Sequence, residues 1–404
     1  PLIWSIKDNN LFISDQGKLL KKELKLESID IDYSVSKAFA VSGYTVGDNT
    51  LYNSIKQISP GNFIWLENKK LVINKYYTWK PWLPEDNIVD PTVKLNKINE
   101  NIFKKLIDSL DNRQIVVPLS GGLDSRLVLA GLHKYNYKNV LCVSYGLKNN
   151  KDAYIAKQVA KKLGFKWIFI EYTKKEFRQH YYSKEYKDYI SFCDTFTSIH
   201  FIGEYIMLTK LSNSLIEKDA IFINGQSGDF ITGNHIPSNY FIVDNQNHNR
   251  KCKIFSSFIE KHYKHWKILS NKENTNNIEH LLNKEIEKIG GLPINPNNDF
   301  GIYEYIEFID RQSKYVVNGQ RNYEYFGYEW RLPLWDNEYI HFWEKVPLKY
   351  KKNQILYKDT LLEYNWGEVW NDININPIKI VPSWIIPIRM IFKLFFIFLG
   401  KNKW

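Results

Sequence analysis

One junction constrains this chain more than any other. An apolar run, Ile115-Val116-Val117-Pro118-Leu119, passes without a break into Ser120-Gly121-Gly122-Leu123-Asp124-Ser125 and then into Arg126-Leu127-Val128-Leu129-Ala130. A buried strand, a glycine turn and a helix in direct succession point to a sheet that is covered on both faces. Two glycines let the backbone approach an anion closely, with their N–H groups pointing into the turn. Ser125 is placed to cap the helix, whose N-terminal dipole favours phosphate. Ser120 and Ser125 add hydroxyl donors, and Asp124 can hold Mg2+ beside phosphates. As physics alone, this is a phosphate or pyrophosphate cradle. It is not a Walker loop, because no G-K followed by Ser or Thr occurs in the chain.

The neighbouring segments extend the pattern. Val140-Leu141-Cys142-Val143-Ser144, Trp167-Ile168-Phe169-Ile170 and Ala220-Ile221-Phe222-Ile223 read as further strands, with helices from about Ser125 to Tyr135 and from Ala153 to Leu163. Alternating strands and helices predict an α/β fold, a parallel sheet with helices on both faces. Ligands in such sheets bind beyond the strand C-termini, which directs the search to the loops there. Before this region, Leu2 to Ile6 with Leu11 to Ile13, and Phe63 to Leu66 with Leu71 to Ile73, read as hairpins. Pro81, Pro84 and Pro91 mark a linker. Residues 250–370 read as mostly helical, with no clear strand pattern. The expected division is a small β-rich domain over 1–88, the α/β domain with helical C-terminal additions over 89–382, and an apolar tail over 383–404.

Charge and cysteines narrow the partners. The net charge of +11 is spread out, with no Arg-rich stripe and no nucleic-acid module, so a basic solvated surface is expected and nucleic acid is not. Three scattered cysteines, none in a C-x-x-C pair, fit a reducing cytoplasm better than a disulfide scaffold or a zinc ribbon. His262-Tyr263-Lys264-His265 lacks the H-E-x-x-H spacing of a zinc helix. Pro1-Leu2-Ile3-Trp4 shows no signal-peptide pattern and no initiator Met, so the chain is expected to begin inside a longer protein. The tail segment 384–399 is strongly apolar but carries Arg389 and Lys393, and is short of the ~20 residues that span a bilayer. It reads as an in-plane helix at the inner face of the membrane or as a helix docking on protein.

S-G-G-x-D-S resembles the signature loop of the PP-loop ATP pyrophosphatases, whose members have an adenine-nucleotide (HUP-like) fold. Three further stretches are similar to the asparagine synthetase family within that group. They are Val143-Ser144-Tyr145-Gly146 with Lys151-Asp152-Ala153, then Asn224-Gly225-Gln226-Ser227-Gly228-Asp229, then Glu329-Trp330-Arg331-Leu332-Pro333-Leu334-Trp335-Asp336. The resemblance covers roughly residues 95–382. It implies ATP and Mg2+, with Leu119, Ser120, Gly121, Gly122, Asp124, Ser125, Ser144, Tyr145, Gly225 and Asp229 around the nucleotide and Asp124 and Asp229 on the metal. It also implies amide formation through an acyl-adenylate and a lysine that stabilises the tetrahedral intermediate. Pro377-Ile378-Lys379-Ile380-Val381-Pro382 makes Lys379 the candidate for that lysine, and Lys358 is a further candidate catalytic cation.

The departures matter as much as the matches. The Glu of the family's S-G-E-G loop is Gln226 here, and its last acidic residue is Phe230. The family's catalytic Glu should fall near Ser191-Phe192-Cys193-Asp194, where Asp194 is the nearest acid. An altered acceptor half disfavours plain aspartate as substrate. Residues 1–62 are similar to part of a class II glutaminase domain, yet position 1 is Pro rather than the nucleophilic Cys. The amine is therefore expected free, from a separate glutaminase or missing N-terminal half, or as part of a second substrate. The G-Q-S-G-D-F-x-x-G-x-H-I-P variant resembles relatives found with bacterial surface-polysaccharide genes, which suggests amidation of a sugar carboxylate on a nucleotide- or lipid-linked precursor. Asparagine formation, intramolecular amide formation as in lactam synthetases and lasso-peptide cyclases, and a catalytically degenerate nucleotide-binding subunit remain alternatives.

Overall fold

The computed structural model describes residues 1–67, 70–211, 215–241, 250–263, 269–373, 375, 387–388 and 390–391. The N-terminal segment forms β1 (Ile3–Lys7) and β2 (Asn10–Ser14), paired antiparallel with Ile3 opposite Ser14, and β3 (Lys56–Gln57) on the other edge of β1. Asp8 and Asn9 close the hairpin with φ of 51° and 60°, the left-handed pair that a two-residue turn demands. Helices α1 (Gly17–Leu24) and α2 (Tyr33–Ser42) follow, and β4 (Asn62–Glu67) pairs with β5 (Lys70–Lys75) as a separate hairpin. Ile3, Leu20, Leu24, Tyr52 and Ile55 make a small local core. Val41, Tyr44, Val46, Trp79 and Trp82 instead join the main core of the chain.

Pro91 occupies the first turn of α3 (Pro91–Asp108), where its missing N–H costs nothing. A five-stranded sheet then assembles in the order β10-β9-β6-β7-β8, from β6 (Ile115–Pro118), β7 (Val140–Gly146), β8 (Lys166–Glu171), β9 (Ile221–Ile223) and β10 (Glu329–Arg331). All four pairings are parallel. Strand alternation sorts its two faces: Ile115, Val117, Cys142, Ile221 and Ile223 enter the main core, whereas Val116, Leu141, Val143 and Phe222 enter a second one. Helices α4 (Asp124–Lys134) and α5 (Lys151–Lys162) cover the first face. After α6 (Lys174–Tyr182) and α7 (Lys184–Cys193), α8 (Ile202–Leu211) covers the second through Met207, Leu208 and Leu211.

Among the described residues the further α-helices are α9 (Gly228–Ile231), α10 (Arg250–His262), α11 (Lys272–Lys288), α12 (Asp299–Glu307), α13 (Arg321–Tyr325), α14 (Asn337–Lys345), α15 (Leu348–Lys351) and α16 (Ile355–Tyr364), with a π-helix (Phe308–Val317) after α12. The sequence reading had no strand after residue 250, and β10 corrects it. Three residues, two of them charged, carry no periodic signal, so only the edge of β9 makes them a strand. Because β7 lies on one side of β6 and β9 on the other, the sheet switches direction at the C-terminal end of β6 and opens a crevice there. No helix among the described residues is long and apolar enough to cross a membrane. Most of the segment 384–399 lies outside the described residues.

Candidate functional site

The loop leaving β6 closes on itself. Ser120 N–H donates to Ser125 Oγ (3.0 Å), Gly121 N–H to Asp152 Oδ1 (2.9 Å) and Gly122 N–H to Ser120 Oγ (3.2 Å). Ser125 is therefore not the helix cap expected of it. The cap position is Leu123, with no side-chain bond, and Ser125 lies inside the first turn, from which its hydroxyl reaches back to the loop. Neither glycine has a positive φ; Gly121 is required by space, since a Cβ there would stand 2.9 Å from Asp152 Oδ1 and 3.1 Å from Ile155 Cβ. Arg126 secures the loop from below. Its buried guanidinium donates to the carbonyls of Gly121 (3.1 Å), Val369 (3.0 Å) and Ile373 (2.8 Å).

A second loop, after β9, packs directly on the first. A Cβ at Gly225 would fall 2.5 Å from the Asp124 carbonyl carbon, and one at Gly228 would fall 2.5 Å from the Asp124 carboxyl carbon and from Leu334 Cδ1. Three of the four segments singled out in the sequence, 120–125, 224–229 and 329–336, thus meet at two glycines. Trp79, from the N-terminal segment, buttresses the second loop with its ring centroid 5.7 Å from that of Phe230. Asp124 and Asp229 consequently line one cavity of about 410 Å3 beyond the ends of β6 and β9.

The two carboxyls behave as a like-charged pair. Burial, with Asp229 beside it, raises Asp124 to about 8, and Tyr357 Oη donates to its Oδ1 at 3.0 Å. Burial would raise Asp229 too, but His235, 3.0 Å away, holds it below the usual carboxylate range. His235 is itself held up at about 9: burial lowers it, and Glu307 and Asp229 more than offset that. One carboxyl pushed up while its neighbour is held low is how two close acids titrate when their charges repel. Mg2+ is usually bound by one or two carboxylates together with substrate phosphates, so the pair fits it. No cluster of three or more His, Cys, Asp or Glu side chains that could hold a metal ion occurs among the described residues.

Leu119, Ser120, Gly122, Asp124, Ser125, Ser144, Tyr145, Gly225 and Asp229 all line this cavity, and Gly121 sits one layer behind, bonded to Asp152. Ser144 Oγ donates to Leu119 O (2.7 Å) and so ties the β7 end to the loop. Two candidates lie elsewhere. Asp194 ends α7, where its Oδ1 accepts from Phe196 N–H (2.7 Å) and its carbonyl from Gly17 N–H (2.6 Å). Lys358 is half-buried, its ammonium donating to Asn353 O (2.6 Å), and it does not line this cavity. Lys379 lies outside the described residues.

Sequence reasoning gave no site role to Glu204, Asp152, His235 or Tyr357, although Asp152 and His235 stand in stretches quoted above. Glu204 left a trace of its own: it is an acid in the otherwise apolar start of α8, and an acid on a core helix must find polar partners. It does so in the cavity wall, accepting from Gln226 Nε2 at 3.0 Å. Gln226 accepts in turn from Gln320 Nε2 at 2.7 Å.

The model of the family described as asparagine synthase matches residues 109–363. Among curated proteins, the chain is similar to the microcin J25-processing protein McjC of Escherichia coli, at 24% identity over 280 residues, which is 65% of this chain and 49% of that protein. The chain thus spans about half the length of the curated relative it matches. Among solved structures it is similar to the U34-tRNA thiolase NcsA from Methanococcus maripaludis, with 13% identity, a TM-score of 0.26 and coverage of 54% of this chain and 80% of that one. It is also similar to the NH3-dependent NAD synthetase from Campylobacter jejuni, with 15% identity, a TM-score of 0.23 and coverage of 52% and 100%.

Proposed function

This chain belongs to the asparagine synthase family, and on that premise we propose that it is an ATP-dependent amide-forming ligase acting on a carboxylate other than free aspartate. The observation that carries the reading is the meeting of Asp124 and Asp229 across one cavity, enforced by Gly225 and Gly228. A carboxylate is a poor acylating agent because its leaving group would be oxide. Attack of its oxygen on the α-phosphorus of ATP expels pyrophosphate and leaves an acyl-adenylate, which an amine then converts to an amide. Ser120 and Gly122, which line the cavity, would face the phosphates with Gly121 behind them, and Asp124 and Asp229 would hold the metal. Mg2+, when bound there, offsets charge on the departing pyrophosphate.

For the carboxylate we favour a uronic acid on a nucleotide- or lipid-linked sugar, delivered to a surface polysaccharide. Gln226 in place of the family's Glu supports a changed acceptor half, as does the basic chain. A second reading, intramolecular amide formation in a peptide, is favoured by the likeness to a microcin-processing protein. ATP–pyrophosphate exchange across uronic acids, aspartate and acid-bearing peptides tests both, with Asp124→Ala as control. Exchange with uronic acids alone supports the first reading, and exchange with peptides alone supports the second. Exchange with aspartate alone defeats both.

A further inference from the structure

Glu204 is 4% exposed, and its surroundings differ from those of most deeply buried acids in this chain. Glu304 is paired with Lys351 at 2.7 Å, Asp310 with Lys314 at 2.8 Å, Asp299 with Arg250, and Glu307 with His235 and His262. Among the described residues, the hydrogen bonds to Glu204 come from neutral donors: Gln226 Nε2 (3.0 Å) and Tyr145 Oη (3.3 Å) on one oxygen, and Tyr323 Oη (3.3 Å) on the other. Its carboxylate also lines the cavity that holds Asp124 and Asp229. A buried carboxylate strongly favours a cationic partner.

We propose that Glu204 receives the amine, binding it as an ammonium and taking its proton so that the nitrogen lone pair can attack. This role rests on the ligase reading above and names its second substrate class, a protonated primary amine or ammonia. The balance is complete. One N–H proton passes to a Glu204 oxygen, and the freed lone pair forms the C–N bond at the acyl carbon. The acyl C–O bond to AMP then breaks with its electron pair, and the second nitrogen proton leaves with the departing phosphate. Glu204 returns its proton to water when the amide leaves. Burial, only partly offset by its tyrosine and amide donors, lifts Glu204 to about 7, close to where a base serves best at neutral pH. Asp194, the acid nearest in sequence to the family's Glu, lies outside this cavity, so α8 supplies the group that α7 does not.

The test uses Glu204→Gln, which preserves size and can still meet the neutral donors. A melting-temperature rise with MgATP equal to that of the wild type shows that the variant folds and keeps its nucleotide site. Pyrophosphate exchange with the acid found by the screen, measured without amine, should stay within about threefold of wild type. Amide formation from ammonium chloride or butylamine should fall by about 100-fold or more. Hydroxylamine, already uncharged at pH 7, should retain its hydroxamate yield to within about tenfold. Undiminished amide formation in Glu204→Gln overturns the role, as does exchange that falls in parallel with it. Exchange in the wild type without amide from either amine overturns it too, because a carboxylate built for an ammonium should accept the smallest ones. Absence of exchange with every acid in the wild type defeats the ligase reading itself, and this role with it.

Discussion

Gly228→Ala tests the joint between the two loops. Gly228 lies in the helical region, so alanine meets no backbone strain and its helix propensity is worth about 1 kcal/mol over glycine. The added methyl stands 2.5 Å from the Asp124 carboxyl carbon, 2.6 Å from its Oδ1 and 2.5 Å from Leu334 Cδ1. Ordinary carbon contacts are ~3.5–4.0 Å, so something must move by about 1 Å. Leu334 can rotate away. Asp124 is held by its helix and by Tyr357, so the strain falls on the carboxylate. Overpacking of this kind costs about 1–3 kcal/mol, and after the propensity gain the net loss is about 0–2 kcal/mol. The chain should therefore stay folded in urea titrations. MgATP affinity by calorimetry should fall about 10- to 100-fold, the range seen when a metal ligand's support is disturbed. A folded Gly228→Ala with wild-type MgATP affinity would refute the shared-metal geometry.

Arg126→Leu leaves three buried carbonyls without their charged donor. At about 1.5–3 kcal/mol per charged bond it should lower unfolding stability by about 3 kcal/mol or more in urea titrations, and partial loss of only a few tenths would show that other donors replace it. The raised value of Glu204 makes a pH prediction with a definite sign. Its folded value of about 7 lies above the unfolded 4.5, so the folded state binds the extra proton between them, and stability is lost as pH rises through about 7. Glu204→Gln should then melt higher than wild type at pH 8, by up to about 3 kcal/mol, and equally at pH 4. Lys358→Ala should leave MgATP affinity and exchange within about twofold, and a large loss would return that lysine to the site.

The cavity-lining loop after β6 was legible because it is local. A buried strand, two glycines, an acid and a helix start lie within eleven residues, and the strand runs of Val140 and Trp167 carry their own pattern. What was not legible depends on distant residues meeting. Tyr357 reaches Asp124 from 233 residues away, and Asp152 reaches Gly121 across a strand crossover. The π-helix shows the same limit. Asp310 and Lys314 stand four residues apart and carry no sequence sign of burial, yet both are buried, paired at 2.8 Å, with Lys314 donating to Thr45 O (2.7 Å) from 269 residues away. Lys358 failed in the opposite direction: a lysine downstream of a motif has no periodicity to say which way it turns.

The bond from Gly121 N–H to Asp152 joins two loops 31 residues apart in the chain. That backbone donor is already taken by a carboxylate at 2.9 Å, so an anion entering the turn would have to displace Asp152 to reach it. Asp152 is thus a tethered competitor for any phosphate at this one position, and an anion that makes several contacts in the turn at once would compete better than one that makes few.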